Sequence, residues 1–444
     1  MTATDLGAPD LTRTLWRCGL PAMAGLAINA AHQSVDGAYL GHLGTGALAA
    51  VSLVLPLTGV TAALGVGLGA GTATAIARRL GAGRQEEAGQ IASAAMGLCL
   101  GLALLAAVVL FLARGPLLTL LGTEADLRPQ ADIYLRLMAV SAGLGTVQIL
   151  CDFIAIGEGN ARFSLQSLIL CFGLNLGLDP LLIFGAGWGV AGAALATIIA
   201  QLVTLGVYLW YFHTWRGSVR LHLPSSAWRR IGPVLRVGAP EALALLATTG
   251  ATLLLYRLAA MEAGVEGLAA LGMVLRLLTL AVLPVEGFCL GAQAVLAHAA
   301  GRGDTGRLAR AVWRLAAVTA GATAVAAVLL VLVPDLALRA FAATPETAAL
   351  ARPALLLLLP ALPLMALRAV AQVLLQATER AGTALALGLA TWGWLLLPLL
   401  AVLVPQHGFL ALPLSLSLAA GLAGLAALVL LWRATRVALT GAPT

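Results

Sequence analysis

The 444-residue chain contains no lysine, so all 26 of its basic residues are arginine. That absence excludes a Walker A lysine and any Schiff-base lysine, and a nucleotide-driven motor would have to be another subunit. Charge of either sign is scarce, at 10% of residues. Cysteine is scarce too: Cys18, Cys99, Cys151, Cys171 and Cys289 fall inside apolar runs without paired metal-ligand spacing. They read as small core residues that imply neither a disulfide nor a metal site. The formal charge of +7 invites a nucleic-acid reading, but the arginines lie in short loops between apolar runs and form no basic face. They read as orientation signals for a membrane chain.

What is abundant is apolar sequence. Hydrophobic residues make up 61% of the chain, against about half in a soluble domain. Runs of about 20 such residues recur, each long enough to cross roughly 30 Å of hydrocarbon as a helix. Spans are expected near 16–40, 48–77, 90–112, 131–154, 165–185 and 189–212, then near 234–260, 267–297, 311–333, 350–377, 382–404 and 408–432. The polar N-terminus runs into an apolar stretch carrying Pro21, Asn29, His32 and Asp36, which reads as a first span and not as a cleaved leader. Twelve spans put both termini on one side. Eighteen arginines fall on that side, against only Arg114, Arg128, Arg339 and Arg352 opposite, so both termini are expected in the cytoplasm.

The two halves repeat each other. Pro21 matches Pro240, the run from Arg79 matches the run from His298, and Gly189 matches Gly408, every pair at the same offset along the chain. An even number of spans per half gives both copies one orientation, related by an axis along the membrane normal. The expected fold is therefore an all-α integral membrane protein with twelve transmembrane helices in two six-helix lobes. The lobes are expected at 1–212 and 233–444, joined by a basic cytoplasmic linker at 213–232. Glycine spacings such as Gly65, Gly67, Gly69 and Gly71 suit close helix packing in lipid; no strand or lysine accompanies them to cradle a phosphate.

The stretch FGLNLGLDPLL, from Phe172, stands out within this apolar background. It puts Asn175 and Asp179 on one helix face, with Pro180 freeing a backbone carbonyl one turn earlier. A carboxylate within the bilayer costs about 2.5 to 3.5 kcal/mol on insertion scales, so it faces a cavity or a partner. At about 1.5 Å rise per residue, Asp36 lies roughly 6 Å, Asp179 roughly 9 Å and Thr197 roughly 12 Å from the outer surface, with Asn175 a turn deeper. One shared layer of oxygens follows. Two carboxylates close together in a low dielectric cannot both ionise cheaply, so such a pair exchanges a proton, or binds Na⁺ with Asn and Thr oxygens completing the shell. His32, one turn before Asp36, is a candidate proton relay, although a hydrogen-bonded core histidine is the plainer reading. The repeat places Leu255 and Pro398 where the first half has Asp36 and Asp179, so the ion chemistry is expected in the first lobe. Glu286, near the middle of the eighth span, is a possible substrate-facing charge, or a partner for Arg276 or Arg368; Asp152 and Glu241 are expected at the interface.

The runs SVDGAYLGHLGTGALAAV from Ser34, GVGLGAGTATAIARRLGAGRQEEA from Gly65, GEGNAR from Gly157 and NLGLDPLLIFGAGWGVAGAALAT from Asn175 together resemble the multidrug and toxic compound extrusion (MATE) transporters. The second half resembles them mainly in helix count and in VLRLLTLAVLPVEGFCLGAQ from Val274. The resemblance implies that Pro21 bends the first helix while Asp36, Asn175, Asp179 and Thr197 couple cation movement to drug exit. Two departures stand against it: Ile156 occupies the usual arginine position before the GEGN turn, and the second lobe lacks the acids of the Na⁺-coupled branch, which favours H⁺. The expected function is a secondary antiporter, not an enzyme, exporting amphipathic or cationic small molecules from the cell membrane as a monomer. It needs no cofactor beyond the coupling ion, H⁺ or Na⁺. Two rival readings are a lipid-linked oligosaccharide flippase, which would want a strongly charged cleft, and an intramembrane aspartyl protease using Asp36 and Asp179. The protease reading lacks the Gly-x-Gly-Asp run, having Leu176, Gly177 and Leu178 before Asp179.

Overall fold

A computed structural model describes residues 4–43, 45–120, 123, 127–214, 217–221, 230–339 and 344–440. The described residues are almost entirely helical, and the helices follow the apolar runs. In the first half these are α1 (Leu11–His42), α2 (Thr45–Gly81), α3 (Gln85–Leu112), the short α4 (Arg114–Leu120), α5 (Arg128–Gly157), α6 (Ala161–Pro180) and α7 (Gly189–His213). The second half begins with α8 (Gly232–Arg302), two spans broken at Ala263 and Gly264, where Gly264 takes φ +61° and lets the chain reverse. After it come α9 (Thr305–Leu332), α10 (Pro334–Arg339), α11 (Pro345–Leu358), α12 (Leu362–Ala377), α13 (Ala381–Gly388), α14 (Leu396–His407) and α15 (Ala411–Thr440).

Among the described residues nine stretches are long and apolar enough to cross a membrane, and two of these, Gly232–Arg302 and Ala381–Arg436, are each two spans long. With α1, whose polar residues dilute its hydropathy, the twelve expected spans are all present as helix. Several run past the expected ends: α1 starts at Leu11 and α9 at Thr305. The reason is physical. A helix leaving the hydrocarbon continues on polar residues until a cap or turn stops it, as Asp304 does for α9 by accepting from Arg307 N at 2.7 Å.

Chain contacts divide the molecule into two compact units. One comprises residues 1–5 and 24–242; the other comprises 6–23 and 243–444. This differs from the division 1–212 and 233–444 read from the repeat, because the first turns of α1 and of α8 are exchanged. Glycine explains the exchange. In the second unit a Cβ on Gly291 would lie 2.2 Å from Cys18 O, and in the first unit a Cβ on Gly71 would lie 2.1 Å from Val234 O. Only a bare Cα admits the exchanged helix so closely. Each exchange ends just after a repeat-related proline, Pro21 in α1 and Pro240 in α8. Of the expected linker, residues 215–216 and 222–229 lie outside the described residues, while 217–221 belong to the first unit.

Candidate functional site

The first unit gathers four of the side chains singled out from sequence. Asn175 and Asp179 sit one turn apart on α6, 1% and 2% exposed, and Asp36 reaches them from α1. With its amide oriented as the surrounding hydrogen bonds require, Asn175 Nδ2 donates to Asp179 Oδ2 at 2.8 Å and to Asp36 Oδ1 at 3.1 Å. Its Oδ1 faces Thr197 of α7, with Oγ1 at 3.3 Å and the backbone N at 3.2 Å. One amide therefore holds two carboxylates with its donor end and the threonine with its acceptor end. Local backbone makes this approach possible. After Pro180 the chain winds as a wider π-helical turn, Leu181–Gly185, and Gly192 of α7 lies so near it that a Cβ would be 2.6 Å from Leu182 O.

His32 stands one turn before Asp36, its Nε2 3.3 Å from Asp36 Oδ2, and its ring stacks on Phe172 of α6 at 4.4 Å. The stack fixes the imidazole edge-on to the carboxylate, so it can hold or pass a proton there. Asp36 keeps 33% of its side chain exposed, which leaves the cluster open on that side. Pro21 lies inside α1, which stays helical through it, and belongs to the second unit; Glu286, on the second span of α8, belongs there too.

Sequence reasoning missed several partners. Tyr134 of α5, 7% exposed, lies within electrostatic reach of both Asp36 and Asp179. A lone tyrosine in an apolar span carries no signal by itself. Asp152, expected at the interface near the end of its helix, is buried within the protein and accepts from Tyr208 and, at 3.1 Å, from Ser164 Oγ. Glu158, in the turn after α5, is also buried; it accepts from Tyr211 and, at 3.0 Å, from Val219 N. Burial pushes the Glu158 carboxyl up to about 7, against the pull of those donors. The GEGN turn carried the signal for Glu158, but the tyrosines that hold these two acids belong to α7, with the whole of α6 intervening in the chain. Among the described residues no cluster of three or more His, Cys, Asp or Glu could hold a metal ion.

The MatE family model matches residues 21–181 and 240–402, two copies that begin at the repeat-related prolines Pro21 and Pro240. A probable multidrug resistance protein NorM from Xanthomonas axonopodis pv. citri (strain 306) is 30% identical over 365 residues, 79% of this chain and 78% of that protein. The multidrug export protein MepA of Staphylococcus aureus is 25% identical over 291 residues, 64% of each chain. Among solved structures, a MOP superfamily transporter from Pyrococcus furiosus shares 24% identity with a TM-score of 0.91, covering 99% of this chain and 100% of that one. A MATE structure in a bent conformation shares 24% identity with a TM-score of 0.89, covering 97% and 98%. These two structures establish the likeness of fold.

Proposed function

We propose that this chain, which belongs to the MatE family of membrane transporters, is a secondary antiporter that expels amphipathic, often cationic, small molecules in exchange for H⁺. The drug-export part of the reading follows the NorM and MepA relatives. The exchange part rests on one observation: two carboxylates, Asp36 and Asp179, share the amide nitrogen of Asn175. Like charges so close among apolar helices repel, and a single proton relieves that repulsion. H⁺ is preferred over Na⁺ because the second lobe lacks the acids of the Na⁺-coupled branch, with Leu255 and Pro398 where the first has Asp36 and Asp179. Substrate binding and protonation then compete for one state of the pair, and each drives the other off as the site opens alternately to the two sides.

In this reading His32 supplies or withdraws the proton at Asp36 Oδ2, Pro21 is where α1 bends when the pair is protonated, and Glu286 attracts cationic substrates. Both termini are cytoplasmic, as the arginine bias supports, and the repeat halves 1–212 and 233–444 are the working domains. The transporter works as a monomer without a cofactor.

The test is proton flux in proteoliposomes enclosing a pH-sensitive fluorophore. Adding a lipophilic cationic dye to vesicles with an imposed pH gradient releases protons in step with dye uptake if the reading holds. Dye movement that follows an imposed Na⁺ gradient and leaves the internal pH untouched would refute it.

A further inference from the structure

The second unit carries a polar stripe that its repeat partner lacks. Along α12, Arg368, Gln372 and Gln376 recur at one-turn intervals on one face. The corresponding residues of the first half are Ile149, Phe153 and Gly157, and there Phe153 packs directly on Gly69, whose Cβ would meet its ring at 2.4 Å. Where the first half packs apolar side chains on glycine, the second half places an arginine and two amides.

The stripe is tied at one end and carries charge at the other. Gln293 Nε2 of α8 donates to Gln376 Oε1 at 3.0 Å, which ties α8 to α12. One span, α9, separates the second half of α8 from α12 in the chain, so the two helices run in the same direction. Counting back from that bond, Glu286 on α8 and Arg368 on α12 come to one level, roughly 10 to 12 Å away. Both charges lie near enough to Cys289 to act on it electrostatically. Between the tie and the charges sits Gln372, 7% exposed, with neither Nε2 nor Oε1 in a hydrogen bond. Arg368 Nε is buried without a partner as well, and so is Thr391 Oγ1, at 0% exposure. Gly388 of α13 faces the Gln372 amide, where a Cβ would lie 3.5 Å from Nε2.

Buried polar atoms without partners are costly, and native proteins keep few of them. A stripe holding an arginine donor and a whole amide in reserve has donors to offer a ligand. Its chemistry is defined: Arg368 Nε–H and Gln372 Nε2–H are donors on one face, spaced by a helical turn, and fit the two oxygens of a carboxylate. Glu286 at the level of Arg368 suits an ammonium on the same molecule. We propose that Arg368, supported by Gln372, is a specificity-determining residue that binds the carboxylate of amphiphiles carrying both an acid and an amine. This rests on the transport reading and assigns to the second unit a residue that selects among its substrates.

The test is equilibrium binding to the purified full-length protein, read by fluorescence anisotropy, with a rhodamine methyl ester and its free carboxylic acid. The two dyes share ring system and cationic end, so the ester reports the fold and the acid reports the arginine. Arg368→Gln should weaken the free acid about tenfold, as for loss of a charge-assisted hydrogen bond, and leave the ester unchanged. Gln372→Glu should act in the same direction by repelling the carboxylate, and Arg368→Lys should recover part of the loss. Equal effects on both dyes, or none on either, would overturn the proposal. Acid-selective loss in Arg368→Gln together with no ion-driven dye movement by the native protein would overturn the antiport reading alone and leave this site standing.

Discussion

Glu158 offers a pH-dependent prediction whose size can be worked from the structure. Its carboxyl fastens residues 217–221 to the first unit, accepting from Tyr211 and from Val219 N at 3.0 Å, while Asn160 Nδ2 donates to the same tyrosine at 2.9 Å. Gly217 lies against it so closely that a Cβ there would push the carboxyl aside. The carboxyl is raised from 4.5 to about 7 by burial. A group whose folded value is raised favours the folded, protonated form below its unfolded value. That advantage is lost as pH climbs from 4.5 to about 7. At about 1.4 kcal/mol per unit the loss is ~3 kcal/mol, or about two orders of magnitude in the opening equilibrium of the strap. Hydrogen exchange of the peptide spanning Ser218 to Leu221, corrected for intrinsic rate and followed from acid to mildly alkaline pH, reads that equilibrium. Protection should fall by about two orders of magnitude in the native protein and stay nearly level in Glu158→Gln, which keeps an acceptor for Val219 but cannot ionise. Protection that rises with pH, or falls equally in the variant, would refute the reasoning.

Two further outcomes follow from the exchanged helix ends. Gly71→Val puts a Cβ 2.1 Å from Val234 O, a backbone atom that cannot swing aside, and should abolish the monodisperse peak in detergent chromatography; a normal yield would contradict the packing described. Pro21→Ala restores a hydrogen bond inside α1, so it should slow ion-driven efflux several-fold while dye affinity changes by less than about twofold. A parallel loss of affinity would assign Pro21 to the contact surface instead.

How much of this was legible in the sequence depends on the kind of contact. Asp36, Asn175, Asp179 and Thr197 could be found because carboxylates are costly in apolar helices, and their common depth followed from helical rise alone. The turn after Pro180 was foreshadowed by the missing N–H. By contrast, the exchange of the first turns of α1 and α8 was hidden, because a repeat shows which segments are copies and not which copy each helix packs upon. The burial of Asp152 and Glu158 was hidden for a similar reason. What encloses them is Tyr208 and Tyr211 of α7, separated from them in the chain by all of α6. The stripe of Arg368, Gln372 and Gln376 became visible only when the atoms left without partners were known.

Central to the account is that the pair bridged by Asn175 carries the coupling ion. The most direct measurement is dye efflux from proteoliposomes under a pH gradient and, separately, under a Na⁺ gradient, for the native protein, Asp36→Asn and Asp179→Asn, with dye binding measured on each. The account predicts that the pH gradient drives the native protein, and that each variant still binds dye but loses pH-driven efflux by at least about a hundredfold, since neither can share a proton across the amide. Retained pH-driven efflux in either variant would contradict it.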